Sequence, residues 1–148
     1  MVHALEEIHR LLKHTGRLID IHPMSQPMPV ELHHSGTIEP IGDLSVGQWC
    51  IDFERADEAL AEILRRDVFA VELEDVFDAL TYYDSAEEMH EALRGSLDRF
   101  ARDAPSVEEG VPKVEEIAAR SEELIGAAGQ GAQLAVRERT HIRRLRPT

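Results

Sequence analysis

Sulfur chemistry is almost missing from this chain. Cys50 is the one cysteine among 148 residues, which excludes an intrachain disulfide and a cysteine-rich metal knuckle and fits a reducing cytoplasm. Aromatic residues are scarce at 5%, so Trp49, Tyr82 and Tyr83 are expected in the core or on a pocket wall. Basic charge is short as well. Sixteen Lys+Arg stand against 29 Asp+Glu, a net charge of −13, the wrong sign for a general nucleic-acid binder or a protein held on an anionic membrane. No apolar run approaches the ~20 residues of a membrane span, and no secretion signal opens the chain. A soluble cytoplasmic protein of one domain, residues 1–148, is the expectation.

What is there is organised around Ala4–Pro23. Leu5, Ile8, Leu11 and Leu12 recur three and four apart and so share one helical face. Glu6 and Glu7 come early, with Arg10, Lys13 and His14 late, in accord with the helix dipole. His14-Thr15-Gly16 stops the helix, with Gly16 suited to a left-handed position. Arg17–Ile21, closed by Pro23, is then a short buried strand. The chain opens on a helix with no strand before it, so the beginning of a fold is expected to be missing.

Glu7-Ile8-His9-Arg10-Leu11-Leu12-Lys13 followed by Gly16-Arg17-Leu18-Ile19 resembles the late helix and fifth strand of class I S-adenosylmethionine-dependent methyltransferases. That family commonly reads E-hydrophobic-x-R-hydrophobic-L-K-P-G-G-x-L here; this chain has His14-Thr15 where Pro-Gly is usual. The phrase Tyr83-Asp84-Ser85-Ala86-Glu87-Glu88 before a helix, and a closing strand around Ala135-Val136-Arg137-Glu138, are similar to branches of the same family.

Further along, Pro23–Pro29 reads as an extended surface connector. Val30–Leu44 is a hairpin turned at Ser35-Gly36, with Pro40 and Gly42 marking its return strand as an edge or a bulge. Trp49–Phe53 precedes a helix from about Glu54 to Arg65. Val68–Tyr83 alternates, with Phe69, Val71, Leu73, Phe77 and Ala79 on one side. Asp84 or Ser85 caps a helix that carries Met89, Leu93, Leu97 and Phe100 inward. Ala104–Pro112 is a loop, and a helix follows from Lys113. In the last strand Leu134, Val136, Thr140 and Ile142 form a dry face, and Gln133, Arg137, Arg139, His141 and Arg143 a wet one. The basic residues there are either a solvated face or a patch for a small anion or acidic partner.

The cofactor elements of the family are absent. No glycine-rich turn follows a strand and opens a helix, because Gly126-Ala-Ala-Gly129-Gln-Gly131 comes after a helix and before a strand. No cofactor-binding residue can be carried over, and none is assigned. His22, His33 and His34 with Asp20 and Glu31 suggest a metal site, but neighbours in a strand point to opposite sides, so surface imidazoles are the favoured reading and no metal ligand is assigned. Ser25, Ser35 and Cys50 have no nucleophile elbow around them, and no catalytic residue is assigned. Asp20 and His22, at the C-terminal end of the first strand, are the pocket candidates, with Trp49, Tyr82 and Tyr83 as walls.

The expected fold is α/β: a partial Rossmann-like methyltransferase half, with a mixed sheet, an antiparallel last strand, flanking helices and a β-hairpin insertion. The resemblance places that last strand between Arg17–Ile21 and the strand near Phe69–Leu80. The expected function is a methyltransferase-like protein with no S-adenosylmethionine site of its own, not catalytic alone, acting as a homodimer or beside a separate cofactor-binding subunit. S-adenosylmethionine enters only if a partner supplies the N-terminal half. The alternatives are a small-ligand-binding or regulatory dimer that reuses the substrate-side surface, one subunit of a split methyltransferase, and a small enzyme of unrecognised chemistry.

Overall fold

A computed structural model describes the backbone of residues 1–44, 47–100 and 107–148, and the side chains of 1–44, 51–97 and 111–148. The order of elements is α1 (Val2–Leu11), β1 (Leu18–Pro23), β2 (Met28–His34), β3 (Thr37–Leu44), α2 (Gly47–Arg65), β4 (Phe69–Tyr83), α3 (Ala86–Phe100), α4 (Val107–Ala128) and β5 (Gln133–Pro147). The fold is α/β, with an open, antiparallel five-stranded sheet in the order β1-β5-β2-β3 and β4 also paired to β5. A mixed sheet is expected from the sequence. It becomes antiparallel because β5, which runs against its neighbours, is the common partner of β1, β2 and β4, and β2–β3 is a hairpin. The last strand does pair with both β1 and β4, the two strands expected to flank it.

The chain divides into two compact units. The first comprises Met1–Ser25, Ile51–Asp78 and Arg139–Thr148, the second Gln26–Cys50 and Ala79–Glu138.

In the first unit Leu60, Ile63, Phe69 and Leu145 form a buried cluster against which Val2, Leu5, Leu12, Leu18, Leu64 and Val68 pack. The inward stripe of α1 is therefore Val2, Leu5 and His9, followed past the helix end by Leu12, with the His9 ring edge-on to Phe69 at 5.3 Å. Ile8 and Leu11, expected on that stripe, are exposed. The helix also ends earlier than its pattern suggests, at Leu11, with Leu12 already extended. Gly16 is not left-handed. Its lack of a side chain matters for another reason: an added Cβ would lie 2.8 Å from Leu12 Cδ1 and 2.9 Å from the Lys13 carbonyl oxygen. In β4 Phe69 is buried, but Val71, Leu73 and Phe77 stay exposed, so the apolar parity of that strand is not core beyond its first residue. Helix α2 takes in the Trp49–Phe53 run, since Phe53, Ala56, Leu60 and Ile63 continue one three-and-four spacing.

In the second unit Ser35 (φ 52°) and Gly36 (φ 79°) make the two-residue turn with both residues left-handed that suits a twisted hairpin. The β2–β3 register slips between Val30 and Glu31, placing a bulge at buried Ile41 between Pro40 and Gly42. Pro29 lies within β2 rather than in a connector. It is tolerated because β2 meets β5 only from Val30 onward. Ser85 caps α3, accepting from the Glu88 N–H at 3.1 Å, while Glu88 Oε2 accepts from the Asp84 N–H at 3.0 Å. Helix α4 begins at Val107, so Pro112 lies inside a helix where a loop is expected; residues 104–106 of that expected loop lie outside the described residues. Gly129 (φ 81°) and Gly131 (φ 85°) form the turn from α4 into β5, as their order in the sequence predicts.

Candidate functional site

The register of β1 on β5 sets Asp20 opposite Arg143 and His22 opposite His141. Alternation puts all four on the face that also carries Leu18 and Leu145, the face covered by α2. Asp57 lies one turn before Leu60 on α2 and so faces the same way. Glu74 comes from β4. The basic face of β5, expected to be wet, is dry at two positions in this unit and wet at a third: the Arg143 side chain is 12% exposed and that of His141 15%, against 55% for Arg139.

The six side chains form one polar cluster. His22 Nδ1 lies 3.0 Å from Asp20 Oδ2, and its Nε2 3.2 Å from Asp57 Oδ1. Arg143 donates from Nε to Glu74 Oε1 at 2.7 Å, from Nη1 to Asp57 Oδ1 at 3.1 Å and from Nη2 to His141 Nδ1 at 3.0 Å. His141 Nδ1 is 3.9 Å from Asp57 Oδ1, and its Nε2 is 3.8 Å from Glu74 Oε1. Burial works against the charge of Arg143, but the Glu74 and Asp57 carboxylates outweigh it and hold the guanidinium above its ordinary value.

Of the pocket candidates, Asp20 and His22 are together here. The Trp49 side chain lies outside the described residues. Tyr82 and Tyr83 belong to the second unit. Tyr82 meets the His33 ring edge-on at 5.4 Å, and the Tyr83 phenol is pushed up by burial and by the nearby Glu138 and Glu88 carboxylates. His33 and His34 take separate partners, Glu31 for the first and the Ser35 hydroxyl for the second, as their opposite directions predict. Glu31 in turn receives two hydrogen bonds from Arg137.

Asp57, Glu74, His141 and Arg143 are the members that sequence reasoning misses. The available clue is chemical matching. Arginines of β5 have acidic partners elsewhere in the chain: Arg144 with Glu72, Arg139 with Asp78, and Arg143 with Asp57 and Glu74. These arginines thus meet the protein's own carboxylates. Among the described residues no helix is long and apolar enough to cross a membrane. Compared with known proteins, the chain matches no family model, no curated protein and no solved structure.

Proposed function

We propose that this chain is a methyltransferase-like module that does not hold S-adenosylmethionine by itself and works as a homodimer joined along β1. The observation that carries this reading is the placement of β5, which runs antiparallel to β1 and pairs with β4 as well, the arrangement implied by the resemblance at Glu7–Ile19. Two further features support it. The one glycine-rich run joins a helix to a strand, whereas a nucleotide-gripping turn joins a strand to a helix. β1 ends the strand order, and Ile19 and Ile21 on its outer face are 50% and 57% exposed, so edge and face are open to a second chain. A regulatory dimer that binds a small ligand is the second reading, favoured by the polar cluster at the C-terminal end of β1.

Calorimetric titration of the isolated chain with S-adenosylmethionine and its demethylated product tests the first half of the proposal. No heat of binding is expected, and tight binding overturns it. Light scattering at micromolar concentration tests the second half: a dimer is expected, and a stable monomer overturns it.

A further inference from the structure

Two histidines and an aspartate converge in the first unit from three different elements. One ligand atom from each of His22, Asp57 and His141 lies within 4.8 Å of the other two. Tetrahedral ligands about 2.0–2.1 Å from a zinc ion stand roughly 3.3 Å apart. The His22 Nε2 to Asp57 Oδ1 separation is already 3.2 Å, and that from His141 Nδ1 to the same oxygen is 3.9 Å. The closure required is a matter of side-chain adjustment.

The surroundings point the same way. In metal centres the imidazole nitrogen not on the metal usually faces a carboxylate, which fixes the tautomer and raises the ligand's basicity. His22 has that arrangement, its Nδ1 facing Asp20 at 3.0 Å, while His141 Nε2 lies 3.8 Å from Glu74, beyond hydrogen-bond reach. Charge is unbalanced as well. Three carboxylates, Asp20, Asp57 and Glu74, lie against the guanidinium of Arg143, an excess of two negative charges when both imidazoles are neutral. A divalent cation removes that excess.

We propose that His22, Asp57 and His141 bind a divalent transition-metal cation of the zinc type, with Asp20 orienting the His22 imidazole. Two imidazoles and one carboxylate suit zinc, cobalt or nickel better than calcium or magnesium, which prefer oxygen throughout. Three protein ligands leave a fourth position for water or a small ligand. Arg143 Nη1 and Nη2 rest on Asp57 Oδ1 and His141 Nδ1, two of the three ligand atoms. The guanidinium and the metal therefore compete, and on binding Arg143 keeps its 2.7 Å bond to Glu74.

The test is titration of the full chain with zinc by calorimetry and with cobalt(II) by visible absorbance. One ion per chain is expected, with cobalt bands of low coordination number. His22→Gln and His141→Gln each abolish binding, Asp20→Asn weakens it about 10- to 100-fold, and the His33→Gln, His34→Gln pair leaves it unchanged. Asp57→Asn, nearly isosteric and at a more exposed side chain, serves as the ligand deletion if a histidine variant loses its circular-dichroism signature of folding. Absence of saturable binding at sub-millimolar metal overturns the proposal. So does binding that survives the folded ligand variants, which would place the ion on other histidines.

Discussion

Arg137 grips Glu31 with a fork of two hydrogen bonds, Nε to Oε1 at 3.0 Å and Nη2 to Oε2 at 2.8 Å. Glu31 stands opposite Ala135 in the β2–β5 register, so Arg137 reaches it from two residues along the partner strand. His33 Nε2 adds a contact to Oε2 at 2.8 Å. The Arg137 bonds, opposed by burial and helped by His33, hold the Glu31 carboxyl below its ordinary value of 4.5. Because the folded value is the lower one, the stabilisation is fully present above the ordinary carboxylate range and is lost as pH falls through the folded value. Arg137→Met should cost about 2 kcal/mol at neutral pH and should flatten that acid-side loss. Urea unfolding of both proteins at neutral and acidic pH measures the two effects.

Gly16 is predicted to refuse even a methyl group. The Cβ of Gly16→Ala would meet the Lys13 carbonyl oxygen at 2.9 Å, and backbone cannot swing aside as a side-chain tip can. The strain should cost about 1–3 kcal/mol, read as a drop in Tm. The same substitution at Gly126, where a Cβ meets nothing within 4 Å, is the control and should be neutral or stabilising.

Ser85→Ala removes the acceptor of the Glu88 N–H and leaves the first turn of α3 with an unmet donor. A loss of about 1 kcal/mol follows, or roughly 2–4 °C in Tm for a chain of this size. Ser85→Asp keeps an acceptor and should restore most of it.

Ile21→Lys places a charge on the open outer face of β1, where the native side chain is 57% exposed. A lysine on an edge strand opposes pairing with another chain. The dimer should weaken at least about tenfold, which corresponds to 1.4 kcal/mol, while thermal stability of the folded chain changes little. Sedimentation against concentration separates these two quantities.

The elements that were legible in the sequence are those whose cause is local. The Ser35-Gly36 turn follows from two residues able to take positive φ, the cap of α3 from Ser85 and Glu88, and the turn into β5 from Gly129 and Gly131. Asp20 and His22 could be named as a pair because they are two apart on one strand. Their partners could not: Asp57 lies 35 residues from His22, and Arg143 86 from Asp57. Pattern also misjudged how much of α1 and β4 is buried, since packing takes Leu5 and Leu12 but leaves Ile8 and Leu11 exposed, and covers Phe69 but not Val71, Leu73 or Phe77 on the same parity.

By itself the sequence determined the order of helices and strands, the positions of the tight turns and a net charge of −13. These depend on backbone preference and on spacing along one element. Tertiary structure alone decided that His141 and Arg143 of β5 turn inward on the face covered by α2 and meet Asp20, Asp57 and Glu74. A strand's alternation separates its two faces but carries no label for which will be covered. Strand pairing and the helix laid across it supply that label.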